Sequence, residues 1–335
     1  MTRLVLLGGG HAHVLVLLKL RNFVSKNLAV SLVTPSQIHV YSGMVPGVVA
    51  GHYSAADARI DLARLAARAG VELVLGSVRL LDAAAKQVVL ASGESISYDV
   101  ASLNLGSSAN SVKPFEKFIA HWREMLQKPP DAPRVAVLGA GAGGVELAMA
   151  MKFALDQRGK GGSVELFTDQ LVFPPAVAAR IRRALDERSI PLHLGTALPA
   201  EFDATFRVTG ATANPLLRES GLKTDARGYV LVDAGLRSVS HPDVFAAGDN
   251  ASLLGHDVPK SGVYAVRQGA VLAENLTRVV RGMPMLDYVP QESSLSLISC
   301  GAKYAIASRG GWSTEGKWVW RWKDWVDRRW VAKFR

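Results

Sequence analysis

Apolar residues in this chain gather into short unbroken runs separated by stretches of helical period, a pattern that predicts helices layered on a parallel sheet. Residues 3–7 read as a strand, residues 12–23 as a helix with apolar positions at helical spacing, and residues 29–33 as a second strand. Together they make a βαβ unit. The pattern returns at residues 134–138 (strand), 139–144 (glycine turn), 145–155 (apolar helix) and 164–168 (strand). Between the two units, residues 71–105 alternate apolar and polar positions about Ser92, Gly93 and Glu94. That predicts a small antiparallel meander returning to a strand at 100–105. Three prolines within 127–133 mark the loop before the second unit, after a domain boundary near residue 112. Beyond the Val230 to Val232 run, residues 241–248 lead into a long helical stretch at 262–280 with no third glycine fingerprint, which predicts a return to the first domain.

The two turns carry the chemistry. In VLGAGAGGVELA, Gly139, Gly141 and Gly144 stand at G-x-G-x-x-G spacing between a strand and a helix. There the first glycine permits a tight turn, the second lets backbone N–H groups approach a pyrophosphate, and the third lets helix and strand pack closely. Asp169, just past the next strand, either accepts a ribose 2′-hydroxyl, favouring NADH over NADPH, or is a solvated surface aspartate. The first turn, VLLGGGHAHV, keeps Gly8 and Gly10 but has His13 where close packing ordinarily takes glycine. Its second strand ends in Thr34 and Pro35 rather than in an acid, although Thr34 can still hydrogen-bond a ribose hydroxyl. Taken alone, His11 and His13 read as core or surface histidines rather than catalytic ones.

Composition bounds what these turns can serve. With 335 residues, 49% of them hydrophobic and 20% charged, the chain is long enough for two domains with cores of their own. A single cysteine, Cys300, excludes an internal disulfide, a C-x-x-C redox pair and a cysteine-rich zinc site, so redox chemistry here needs a borrowed cofactor. No metal site is expected. Leu4 to Leu7 is too short for a secretory signal core, and no apolar run approaches the roughly 18 residues of a membrane span. A cytoplasmic location is therefore expected. The net charge is +10, and residues 316–335 hold seven Lys/Arg against two Asp, half of that total.

A third element, HPDVFAAGDNASL at residues 241–253, ends an apolar strand with Gly248 and Asp249 and can bring an aspartate to a ribityl or phosphate-side hydroxyl. After two glycine turns it resembles the second flavin motif of the pyridine-nucleotide flavoprotein reductases, in which one Rossmann domain holds FAD and an inserted one holds NAD(P)H. The stretches YSGMVPGVVAGHYS, YDVASLNLGS, LRSVSHPDVFAAGD and PKSGVYAVRQGAVLAENL, with WVWRWKDWVDRRW near the end, narrow the likeness. Nearly end to end, the chain is similar to the NADH-dehydrogenase-like domain found alone or fused ahead of selenide, water dikinase. That group is a sister to the type II NADH:quinone oxidoreductases, and its first turn reads G-G-G-H, so His13 and Thr34 count as family features.

The resemblance implies FAD as cofactor, NAD(P)H as co-substrate and an α/β fold of two Rossmann-like domains, the second inserted in the first and shortened. FAD would bind in residues 1–112 and 233–290, NAD(P)H in 113–232, and residues 291–335 would form a C-terminal segment. Carried over residue by residue, Gly8, Gly10, His11 and Ala12 lie at the FAD pyrophosphate, Thr34 and Pro35 at the adenosine, and Met44, Val45 and Pro46 near the isoalloxazine. Val78, Leu105 and Gly106 follow strands past the cofactor, and Gly248 with Asp249 meets the ribityl-phosphate region. Lys260, Ser261, Gly262 and Val263 present a helix N-terminus to the flavin's pyrimidine edge. Such a terminus stabilises the charge of reduced flavin by on the order of 0.5–2 kcal/mol. Gly139, Gly141, Gly143, Gly144, Glu146, Asp169 and Gly210 fall on the NAD(P)H side. Lys260, Tyr264, Arg267 and Gln268 either line the acceptor side or are ordinary helix residues.

Two regions depart from the general reductase pattern. Residues 192–210 leave room for only nineteen residues, Pro199 among them, where a meander ordinarily sits, so the NAD(P)H domain is trimmed. Six of the seven tryptophans lie between Trp312 and Trp330, interleaved with basic residues. In helical register Trp322, Val326, Trp330 and Phe334 follow at i+4 steps beside Trp325, the pattern of an amphipathic helix with aromatic anchors. Residues 312–335 therefore meet a membrane interface, where quinone dissolves, or pack on the FAD domain or in a homodimer; no nucleic acid is expected. The function that follows is a peripheral FAD enzyme taking hydride from NAD(P)H at flavin N5 and passing two electrons to a quinone-like acceptor. The alternatives are reduction of a selenium or sulfur compound, with Cys300 as a thiol unless it is a buried strand residue, and a non-catalytic flavin or nucleotide sensor.

Overall fold

The computed structural model describes residues 1–21, 27–107, 112–127, 132–159 and 161–335. The chain begins with the βαβ unit: β1 (Thr2–Leu7), α1 (His11–Leu20) and β2 (Leu28–Thr34). Helix α1 starts at His11 and ends at Leu20; Phe23, where the apolar pattern placed its end, lies outside the described residues. Strands β3 (Ile38–Val40) and β4 (Arg59–Asp61) form a short ribbon flanking α2 (Val45–Val49). Helix α3 (Leu62–Ala69) is capped by Asp61, which accepts from the Arg64 N–H at 2.8 Å, and ends at the left-handed Gly70.

The run at 72–75 corrects the expected meander. As β5 (Glu72–Leu75) it pairs in parallel with β2, and only β6 (Val78–Asp82), β7 (Gln87–Leu90) and β8 (Ser95–Ser97) form the antiparallel sheet. An edge strand of a parallel sheet is partly wetted, so its apolar and polar positions alternate much as those of a meander do. Strand β9 (Val100–Leu103) then returns beside β1.

Helix α4 (Phe115–Gln127) precedes the second unit, and residues 128–131 of the expected proline loop lie outside the described residues. The second unit holds β10 (Arg134–Leu138), α5 (Ala142–Gln157), β11 (Ser163–Thr168), α6 (Pro175–Asp186), β12 (Leu192–Leu194) and β13 (Ala204–Arg207). Its four strands are all parallel, in the order β12-β11-β10-β13. Residues 195–203 form a loop with no strand, where a fuller domain would carry its meander.

Helix α7 (Pro215–Glu219) leads to β14 (Val230–Val232), β15 (Val244–Ala246), β16 (Ala251–Leu253) and α8 (Gly262–Val280). Strand β15 completes a five-stranded parallel sheet, β15-β9-β1-β2-β5, a doubly wound order with the crossover beside β1. Strand β14 pairs with β16, which follows the Gly248 turn. Helices α1 and α8 lie together on one face: a Cβ at Gly269 would fall 2.7 Å from the Ala12 Cα, so only glycine permits that approach.

The C-terminal segment holds an antiparallel sheet of β17 (Ser296–Ser299), β18 (Ala305–Arg309) and β19 (Trp312–Gly316), followed by α9 (Lys317–Ala332). It grips both earlier units, the first through Tyr53, which donates to Asp324 on α9 at 2.7 Å. Glu315 pairs with Arg180 at 2.5 Å and with Arg183 on α6, and a Cβ at Gly301 would fall 2.2 Å from the Met149 carbonyl on α5. The buried face of α9 corrects the predicted stripe: Val319, Trp320, Lys323, Asp327, Trp330 and Val331 point inward, with Phe334 just beyond, while Trp322 and Val326 are half-buried. Two inward charges displace the apolar stripe because they have partners inside.

Candidate functional site

The first glycine turn is built against Asn104, one residue past β9. Gly8 has a φ of +93°, in the left-handed region, and a Cβ there would meet the Asn104 carbonyl at 2.5 Å. At Gly10 a Cβ would fall 2.3 Å from the Asn104 Oδ1. That oxygen accepts the N–H groups of Ala12 at 3.0 Å and His13 at 3.3 Å, and the Asn104 Nδ2 donates to the Ala247 carbonyl at 3.0 Å. One amide thus joins α1, β9 and the Gly248 turn. Around it, Asn250 accepts the Leu105 N–H at 2.5 Å and donates to the Gly106 carbonyl at 2.9 Å, while Gln268 accepts the Gly248 N–H at 2.6 Å.

His13 is a core residue with no exposed surface. Its Nδ1 donates to the Gly8 carbonyl at 2.6 Å and its Nε2 accepts from the Ser102 hydroxyl at 2.9 Å, a neutral tautomer bridging α1 to β9. Burial lowers its pKa to about 4. The unfolded chain, near the ordinary 6.5, binds a proton that the native state refuses, so stability falls as pH drops from 6.5 towards 4. Up to roughly 3 kcal/mol is expected to be lost across that window. Urea unfolding of the wild type and His13→Gln at several pH values checks it; an identical acid slope in both removes His13 as the cause.

His11 opens α1. Its ring meets His39 edge-on at 4.7 Å and Tyr41 at 5.6 Å between centroids. The Nε2 atoms of His11 and His39 are buried with no partner among the described residues. The Gly262 end of α8 is adjacent, a Cβ there falling 3.8 Å from the His11 Nε2. Lys113 pairs with Asp249 at 3.6 Å and donates to Ser107 at 2.6 Å. Thr34 is buried under Gly9, Pro35 is exposed, and Met44, Val45 and Pro46 are buried at the start of α2. Val78 opens β6 opposite Leu90.

The residues expected on the acceptor side differ in burial and partners. Gln268 is consumed by the Gly248 turn, Tyr264 is buried, and Arg267 lies exposed on α8. Lys260 donates to the Ala251 carbonyl and lies 4.3 Å from the Tyr229 ring centre. Ser261 stands at the N-cap position of α8 without a side-chain capping bond, and Val263 is exposed.

On the second turn, Gly141, the N-cap of α5, and Gly210 both face open space. Gly143 is exposed, and Asp169 is exposed directly after β11. Unlike α1, α5 thus keeps its first turn clear for an anion. Glu146 belongs instead to a buried ionic cluster under α9. Its carboxylate accepts the Ser299 N–H at 2.8 Å and faces the Lys323 ammonium at 3.9 Å. Lys323 pairs with Asp327 at 2.9 Å and donates to the Gly43 carbonyl at 2.9 Å, beside the Met44 turn; Tyr41 donates to Asp327 at 3.2 Å. Burial pushes Glu146 up to about 7, against the pull of Lys323, and raises Asp327 as well. Burial opposes the charge on Lys323, but Glu146 and Asp327 outweigh it, and the ammonium is held above its ordinary value.

Residues 2–200 and 199–269 match the family model described as pyridine nucleotide-disulphide oxidoreductase. The chain belongs to that family. This oxidoreductase is 24% identical over 282 residues to the NADH dehydrogenase-like protein YutJ of Bacillus subtilis (76% of this chain, 78% of the relative). It is 24% identical over 358 residues to the alternative NAD(P)H-ubiquinone oxidoreductase C1 of Arabidopsis thaliana (85% and 69%). Its fold is shared with the sulfide:quinone oxidoreductase of Aquifex aeolicus at a TM-score of 0.81 and 18% identity, covering 100% of this chain and 92% of that one. It is accordingly a FAD-dependent NAD(P)H oxidoreductase of the NADH dehydrogenase-like branch.

The residues fit FAD: the glycine turn, the unpartnered His11 and His39 nitrogens beside the α1 N-terminus, and the adjoining α8 terminus are what a dinucleotide would complete. The oxidoreductase has no redox disulfide, since Cys300 is its only cysteine. That residue is fully buried, with its thiol pushed up to about 12 chiefly by burial, which corrects its candidacy as a reactive thiol. Asn104, Asn250, Lys113 and Lys323 were missed by sequence reasoning. The one signal available was local, Asn104 and Gly106 closing the stretch YDVASLNLGS.

Proposed function

We propose that this oxidoreductase uses NAD(P)H to reduce a quinone-like acceptor at a membrane surface. FAD, when bound, supplies the two-electron chemistry that the side chains lack. The chain's own part is to receive the NAD(P)H pyrophosphate at the open α5 N-terminus, to keep water from the Met44 turn by laying α9 over it, and to hold a proton at Glu146. Quinone reduction takes two protons with two electrons, and burial favours the protonated form of the Glu146 carboxyl by raising its pKa above the ordinary carboxylate value.

The observation that carries the reading is the two-faced α9. Its inner face closes on Gly43 and Glu146, while Trp318 (53% exposed) and Trp325 (58%) stand outward with Lys317, Arg321 and Arg329, next to Trp312 (51%). Exposed indoles among cations suit the interface of an anionic bilayer. No helix among the described residues is long and apolar enough to cross a membrane, so contact would be peripheral. The names of the Arabidopsis relative and of the demethylphylloquinone reductase NdbB of Synechocystis supply support for quinone as the acceptor class.

Anionic phospholipid vesicles are expected to bind the protein and raise its NADH:quinone rate. The double variant Trp318→Ser, Trp325→Ser is expected to lose roughly tenfold or more in vesicle affinity while keeping its rate with a water-soluble acceptor. Equal vesicle binding by the two proteins would sink the membrane reading, and absence of turnover with any quinone would sink the acceptor class.

A further inference from the structure

Two of the backbone donors of the first glycine turn are already in use. Asn104 already takes the Ala12 and His13 N–H groups, and the Lys113 ammonium is engaged by Asp249 and Ser107. What the turn offers instead is an imidazole at the first helical position of α1, backed edge-on by a second one, with both Nε2 atoms buried and unpartnered among the described residues. Buried polar atoms left without partners in a folded protein call for a ligand, an ion or a water. Here the nitrogens lie beside a dinucleotide turn. The His11 Nε2 lies near the space that a Cβ at Gly262 would fill, 3.8 Å from that point, and the Ser42 hydroxyl is 3.7 Å from the same point.

We infer that His11 takes up a proton when FAD binds and, as an imidazolium, donates from Nε2 to an anionic oxygen of the FAD diphosphate, adding a charged donor to a turn in which Asn104 has taken two of the backbone ones. This rests on the FAD cofactor and not on the acceptor. The groups facing His11 are His39 from β3, Tyr41 after it, Lys113 ahead of α4, Ser42, and the α8 N-terminus at Gly262. Tyr41 has its hydroxyl committed to Asp327. With the site empty, burial and the Lys113 ammonium hold His11 down to about 4, so it is neutral. A diphosphate beside it favours the charged form and raises that value. Between the free and bound values FAD binding takes up a proton, so affinity is greatest on the acid side and falls as pH rises, by up to tenfold per pH unit within the window.

The test dilutes the FAD-loaded protein from about pH 5.5 to about pH 8 and reads released FAD by its fluorescence. The dissociation constant is expected to rise towards tenfold per unit through part of that range. His11→Gln is expected to flatten the profile and to weaken binding most at the acid end, where its loss should reach at least about tenfold. If that variant does not fold, the wild type decides through 15N-histidine NMR. One more cationic histidine is expected near pH 6 in the loaded protein than after FAD is stripped. A flat release profile with no additional cationic histidine overturns the inference, and so does a His11→Gln protein that keeps the wild-type profile. A protein that never binds FAD overturns the cofactor along with it, whereas failure with quinones touches neither.

Discussion

Lys323→Met is expected to cost about 3–5 kcal/mol of stability near pH 7.5. The reason lies in the imbalance of the cluster it serves. One ammonium stands between two carboxylates, 2.9 Å from Asp327 and 3.9 Å from Glu146, with its third direction filled by the Gly43 carbonyl. Methionine matches the stem but leaves both carboxylates and a carbonyl without their cation. Glu146 and Asp327 are already raised by burial, and the variant drives them higher, so its native state binds more protons than the unfolded chain across a wider range. Stability then falls as pH rises through that range, and the gap between variant and wild type should narrow towards pH 5 and widen towards pH 8. Urea unfolding at several pH values measures both the size and the slope. A loss that stays the same across that range would mean lost packing rather than lost charge.

Gly144→Ala is expected to separate the two nucleotide sites. A Cβ at this position would lie 1.8 Å from the Gly139 carbonyl oxygen, far inside contact distance, so α5 must move off β10 to admit it. The stability cost of such overpacking is about 1–3 kcal/mol. The functional cost should be larger, because the α5 N-terminus is the seat we propose for the NAD(P)H pyrophosphate and a displacement near 1 Å is enough to slow hydride transfer by about a hundredfold or more. FAD content should remain near wild type, since β1, α1 and Asn104 are untouched. Stopped-flow bleaching with NADH and NADPH gives the rate, and absorbance gives the flavin content. An unchanged rate with both nucleotides would show that the second turn does not seat NAD(P)H.

Much of the scaffold was legible because it repeats. A strand, a glycine turn and an apolar helix occur twice, and the stretch expected to be helical at 262–280 is helical over Gly262–Val280. The shortened second unit was legible as a length, since the residues between Leu192 and Gly210 leave no space for a meander and β12 runs through a loop to β13. What could not be read was partnership across the chain. Glu146 sits at a phosphate-turn position by spacing, yet it faces Lys323, which is 177 residues later by number and arrives on a helix whose own periodicity argued for a plain apolar face. Lys323 and Asp327 lie beside that face in sequence, and nothing local says that two charges will be buried together. The tryptophans divide for the same reason: Trp320 and Trp330 are core, while Trp318 and Trp325 are exposed, and helical spacing alone does not tell which side meets the protein.

The amide of Asn104 places the first glycine turn under a non-local constraint. Gly10 has no room for a side chain because the Asn104 Oδ1 occupies the space, and Asn104 is held there by the α1 N–H groups and by Ala247 on the other side. The two positions constrain each other over the length of a domain: a substitution at 104 strands two helix donors, and one at 10 collides with both the side chain and the backbone of 104. The dependence runs one way: a Cβ at position 10 would also fall 2.7 Å from the backbone carbonyl of residue 104, so in descendants of this chain the asparagine is lost before the glycine, never the glycine before the asparagine.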